Sequence, residues 1–159
     1  MKRFIVLSIV LLMIAGFAMA SSAQDLDLVV GRQHIPVGTL TVVVDGTDLV
    51  VTYDITDPEW ELLETHLYVG TSAPTKSAPG RFPYGSSDVV DEGEYEIDLG
   101  SFTGTLYIAA HAEIGMIDEF GEPVLDENDE QIKETVWAEG TQIRTGKNWA
   151  MYFTFTVPE

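Results

Sequence analysis

Beyond residue 24 the apolar positions fall in short, β-branched runs, most of them closed by Gly, Pro, Asp or Asn. A period of two within runs, with turn residues between them, reads as strands joined by tight connections. Residues 25–31 predict a first strand. Leu40, Val42 and Val44 then alternate with Thr41 and Val43, and Leu49, Val51, Tyr53 and Ile55 alternate with polar residues. Asp45-Gly46-Thr47 between these runs is a hairpin signal, because glycine accepts the positive φ of a tight turn. Asp57-Pro58 ends the second run. Glu61 to Gly70 predicts the next strand, with Leu63, Leu67 and Val69 on one face. A Pro-, Gly- and Ser-rich loop follows over 71–93, then a short strand over 94–99.

The cleanest alternation is Thr105 to Ile114: Leu106, Ile108, Ala110, Ala112 and Ile114 on one side, Tyr107, Ala109, His111 and Glu113 on the other. A loop over 115–131, a strand over 132–138 and a closing strand over 149–157 complete the pattern. It holds no convincing helix, internal repeat, linker or second domain. The expected fold class is all-β, an antiparallel two-sheet β-sandwich of immunoglobulin-like or jelly-roll type with about eight strands.

The first twenty residues follow a different pattern. Lys2 and Arg3 precede an apolar run from Phe4 to Met19, which ends in Ala18-Met19-Ala20, with Ser21-Ser22-Ala23 behind it. This is the layout of a secretory signal peptide over 1–20, cleaved after Ala20 or Ala23, which leaves one domain over 24–159. The alternative, an uncleaved anchor, is disfavoured because the run is shorter than the roughly 20 residues a spanning helix needs. The expected location is secreted and extracellular, or periplasmic in a Gram-negative cell, with no membrane association after cleavage.

Composition narrows the function classes. The 159 residues carry 26 Asp+Glu against 8 Lys+Arg, a formal charge of −18, and no cysteine. Losing Lys2 and Arg3 with the leader takes that charge to −20. Such a balance disfavours nucleic acid as a partner, since phosphate neutralisation needs clustered Lys and Arg. The missing cysteines exclude disulfides, thiol nucleophiles and thiolate metal sites. No G-x-S-x-G, phosphate-loop or dinucleotide fingerprint is present, and the many acids single out no glycosidase pair.

Three constellations remain. Glu64-Thr65-His66 and His111-Ala112-Glu113 each place a carboxylate and an imidazole two residues apart, on one face of a strand. If the strands were neighbours, Glu64, His66, His111 and Glu113 would offer oxygen and nitrogen ligands to Zn²⁺ or another divalent metal. The other reading is a polar outer face, or histidines in satisfied hydrogen bonds beside Tyr68 and Tyr107. Asp126, Asn128 and Glu130 alternate like the start of a Ca²⁺ loop, but Gln131 stands where a calcium-loop turn needs glycine. A solvated acidic loop is the alternative there. Trp60, Phe82, Tyr84 and Trp149, with Arg81 nearby, form a candidate ligand-binding set, since exposed Trp and Tyr pair a flat apolar face with a polar edge suited to stacking on sugar rings. They could equally plug the ends of the sandwich.

Five phrases recur as an ordered set: Glu64-Thr65-His66-Leu67-Tyr68-Val69-Gly70, Pro79-Gly80-Arg81-Phe82-Pro83-Tyr84, Tyr107-Ile108-Ala109-Ala110-His111-Ala112, Glu134-Thr135-Val136-Trp137-Ala138-Glu139-Gly140 and Gly146-Lys147-Asn148-Trp149-Ala150-Met151-Tyr152-Phe153. Over residues 38–157 this order resembles an uncharacterised domain of secreted and cell-surface proteins of bacteria and archaea. Arg144-Thr145 departs from the Phe-Pro which that group tends to carry, and the acidic segment 118–131 looks like a local elaboration. The resemblance implies export and a single domain, and no chemistry.

The sequence therefore predicts a non-enzymatic, exported cell-surface or extracellular module that binds a partner protein or carbohydrate, with Ca²⁺ as a candidate stabilising ion. One alternative is a metal-dependent enzyme or metal-binding protein using Glu64, His66, His111 and Glu113. Another is a subunit of an extracellular assembly that donates strand 25–31 to a neighbour's sheet edge.

Overall fold

A computed structural model describes residues 22–100, 102–146 and 148–158; the expected signal peptide and its first cleavage site lie outside them. Among the described residues ten strands form: β1 (Ala23–Val30), β2 (Ile35–Asp45), β3 (Asp48–Ile55), β4 (Trp60–Gly70), β5 (Tyr84–Gly85), β6 (Glu94–Asp98), β7 (Thr105–Met116), β8 (Lys133–Ala138), β9 (Thr141–Gln142) and β10 (Met151–Thr156). All pairings between them are antiparallel.

Hydrogen bonding runs unbroken through eight strands in the order β5-β4-β7-β8-β1-β2-β3-β6, while β10 pairs with β7 and β9. The β-class and antiparallel pairing expected from the alternation are present. The two separate sheets are not: one sheet curls into a half-barrel. Its concave side holds one apolar cluster, in which Leu40, Val42, Leu49 and Val51 meet Leu67, Leu106, Ile108 and Ile114. The curl lets a single sheet cover its own apolar face, which a flat sheet cannot do. A polar seam crosses that core. Tyr53 donates its hydroxyl hydrogen to the carbonyl of His66 at 3.0 Å, and the Thr65 and Tyr95 hydroxyls meet at 2.7 Å.

Several elements match their sequence signals. Gly46 turns with φ of 60° between paired Asp45 and Asp48. The predicted apolar row of β7, from Leu106 to Ile114, is fully buried. Elsewhere the structure corrects the pattern. Leu63 is not in the core but 37% exposed, because a register shift between Leu62 and Glu64 breaks the alternation. An extra residue in one strand flips every later side chain, so Thr65 rather than Glu64 turns inward. The first strand is Ala23–Val30, since Gly31, at φ of 67°, begins the turn.

The 115–131 segment is also not a plain loop. Met116 and Val124 bond to one another and to Ile132 through two successive tight turns. In each turn an aspartate opens and a left-handed residue closes: Asp118 with Gly121, then Asp126 with Asp129. The stretch Asp118-Glu119-Phe120-Gly121-Glu122 is thus echoed eight residues on by Asp126-Glu127-Asn128-Asp129-Glu130, a short internal repeat that the alternation pattern hides.

Candidate functional site

The two outer faces of the curled sheet are built differently. Over β1, β8, β7, β4 and β5 the register aligns Val29, Trp137, His111, His66 and Gly85 in one cross-strand row. Directly opposed residues share a face, so these side chains stand together on the outside of the barrel. A second apolar cluster forms there, of Val29, Ala109, Trp137, Ala150 and Met151, with Tyr68, Phe82 and Trp149 packed on it. The loops after β4 and before β10 roof it, and Asn148 donates its side-chain amide to the Ser77 hydroxyl at 2.8 Å.

The neighbouring strands that the histidine motifs needed are present. Glu64 pairs with Glu113, and His66 with His111, across β4 and β7. The imidazole rings lie 5.5 Å apart, and His66 Nε2 is 3.2 Å from a Glu64 oxygen. Glu113, however, accepts from Lys133 at 2.8 Å, and His111 packs edge-on against Trp137 at 4.9 Å. Burial, then the nearby His66, pushes the His111 pKa down to about 3, so this ring is neutral at pH 7. The Nδ1 atoms of both histidines are buried without a hydrogen-bond partner among the described residues. No group of three or more His, Cys, Asp or Glu side chains among those residues is arranged to hold a metal.

In the acidic repeat the carboxylates serve the turns. Asp126 Oδ1 accepts the backbone N–H groups of Asn128 and Glu130 at 2.8 and 3.1 Å. Asp118 does the same for Phe120 and Glu122 at 2.9 and 3.0 Å. Those bonds, Glu130's first, hold the Asp126 carboxyl below its ordinary pKa. Asp126, Asn128 and Glu130 all stay exposed.

The aromatic candidates do not form one platform. Trp60 and Tyr84 pack at the margin of the main core, whereas Phe82 wedges between Tyr68 and Trp137 with ring centroids 6.0 Å from each. Arg81 is exposed in a single 3₁₀ turn, Pro79–Arg81. Trp149 is the exception. It lines a cleft of about 300 Å³ with Arg32, His34, Gln142 and Asn148, and its ring lies 6.4 Å from that of His34. His34 sits at φ of 53°, a strained conformation for a residue other than glycine, and donates to a Glu139 oxygen at 3.1 Å. Gly140 closes the floor: a Cβ there would collide with the Tyr152 carbonyl. A second cleft, of about 220 Å³, lies on the other side of Trp149 and reaches His111 and Trp137.

Protein-family models, curated proteins and solved structures give no match to this chain. The site therefore rests on its geometry. Arg32, His34, Glu139 and Gln142 escaped the sequence reading because they come from two distant stretches, the β1–β2 turn and the β8–β9 segment. The signal that could have found them is charge: basic residues are scarce, and those of the domain fall mainly in loops. No helix among the described residues is long and apolar enough to cross a membrane.

Proposed function

We propose that this protein is an exported, non-enzymatic binding module whose ligand is a carbohydrate seated against Trp149. The observation that carries this reading is the cleft itself. An aromatic ring there is bordered by Arg32, His34, Gln142 and Asn148, the pairing of flat apolar face and hydrogen-bonding edge that sugars require. The leader-like first twenty residues and the resemblance to secreted and cell-surface domains support export. The packing of β4 and β7 onto β2 and β3 supports reading the half-barrel as a sandwich whose layers stay joined through β1 and β8. A glycan array tests the function. Binding that is lost in Trp149→Ala, with the fold intact by circular dichroism, supports it; no binding to any glycan, or binding indifferent to Trp149, refutes it.

The second reading is a divalent-metal site at the histidine pair, favoured by the opposed His66 and His111 with their unpartnered Nδ1 atoms. Zn²⁺ should then raise the melting temperature of the wild type but not of His66→Ala. Calcium draws less support, because the Asp126 carboxylate is occupied by backbone donors. Strand donation is restricted too. Residues 25–30 pair with β2, and Leu28–Val30 also pair with β8, which leaves an open edge only towards the start of β1.

A further inference from the structure

The few basic residues of this acidic chain are not distributed like its acids. Among the described residues Lys133 is bonded to Glu113, while Arg32, Lys76, Arg81 and Arg144 make no ion pair. All four are exposed, in a chain with 26 carboxylates to pair with. All four also lie in loops over one outer face: Arg32 in the turn between β1 and β2, Lys76 and Arg81 between β4 and β5, Arg144 between β9 and β10. Asn148 bonded to Ser77 and His34 beside Trp149 draw these three loops together around the aromatic ring.

We infer that the ligand is an acidic saccharide, bound through a terminal sugar that carries a carboxylate. This rests on the carbohydrate reading above and deepens it. A guanidinium fork matches a carboxylate with two parallel hydrogen bonds, and Arg32 supplies that fork on the wall of the cleft that Trp149 lines. Among the described residues Arg32 is the unpaired cation on the cleft wall, and a cation beside a low-dielectric wall makes the local potential positive, while Lys76 and Arg81 border a separate cleft beside Tyr68 and Phe82. The rest of the molecule, strongly negative, repels a long polyanion, and a cleft of about 300 Å³ takes the end of a chain rather than its length. Glu139 is tied to the cleft through His34, which holds its oxygen. Its charge opposes a second anionic group, which again favours a single terminal carboxylate.

The test is an array of neutral, uronate- or sialate-terminated, and sulfated oligosaccharides. Calorimetry of the best carboxylated probe then follows at low and high salt. The expected result is retention of carboxylate-terminated glycans, with affinity falling as salt rises. Arg32→Gln should weaken the carboxylated probe about tenfold, the size of one charge-assisted pair, and leave its melting temperature unchanged. Trp149→Ala should abolish binding. Equal binding of neutral and acidic glycans overturns this inference while leaving the carbohydrate reading intact. Binding of the sulfated set alone overturns it as well, and no binding by any set removes both.

Discussion

Two cross-strand rows on the outside of one sheet share its backbone pairing and differ in what covers them. Val29, Trp137, His111, His66 and Gly85 form one, across β1, β8, β7, β4 and β5. Asp25, Thr41, Thr52 and Glu94 form the other, across β1, β2, β3 and β6. The second row closes on itself: Thr41 donates to Asp25 at 2.8 Å and Thr52 to Glu94 at 3.2 Å. It is left bare, and Glu94, Glu96 and Asp98 set charges along the β6 edge, which discourages pairing with another chain. The first row is aromatic and titratable, roofed by loops, and leaves buried imidazole atoms unpaired. Both rows belong to the same hydrogen-bonded sheet, so backbone pairing does not decide which outer face is covered. The loops do.

The comparison breaks first on packing. Trp137 is 3% exposed between His111 and Phe82, and Trp137→Ala should cost about 3–5 kcal/mol in urea unfolding, as large core truncations do. Thr52→Ala on the bare row should cost no more than about 1 kcal/mol. Similar losses at both positions would erase the distinction.

Next comes pH. His111 has a folded pKa of about 3, below the roughly 6.5 of an unfolded histidine, so the unfolded chain takes up the proton first. Its contribution to stability is complete above pH 6.5 and is lost as pH falls toward 3. Between pH 7 and 5 the wild type should lose about 2 kcal/mol more than His111→Gln; parallel pH profiles for the two would contradict the buried neutral ring.

Smaller still is the response to calcium. With the Asp118 and Asp126 carboxylates committed to their turns, millimolar Ca²⁺ should leave the melting midpoint where it is. A clear upward shift that Asp126→Ala removes would restore the acidic repeat as an ion site. On the bare row Thr41→Ala, which loses an exposed hydroxyl bond, should cost about 0.5 kcal/mol in a thermal melt.

Much of the strand plan was legible because period-two alternation records burial directly, as in Leu106 to Ile114. It failed at Leu63, where a register shift carries no compositional mark, and at 115–131, where turn chemistry rather than hydrophobicity holds the chain. The joining of the layers was illegible for a related reason. Whether β1 bonds to β8 is a long-range choice that neither strand's pattern encodes. Of the site, the opposed His66 and His111 were visible as motifs, since each motif is local. The Trp149 cleft was visible only as one aromatic residue, because Arg32 and His34 in the β1–β2 turn and Gln142 in β9 lie more than a hundred residues apart in sequence.

The central claim, that ligand binds on the looped face at Trp149, is tested most directly by nitrogen–proton NMR of the three tryptophan indoles during titration with a carboxylate-terminated oligosaccharide. The account predicts saturable movement of the Trp149 indole and the Arg32 amide, while the Trp60 indole and the amides of Val50 and Thr52 stay in place. Movement confined to the bare row of β2, β3 and β6, with Trp149 unmoved at saturation, would contradict it.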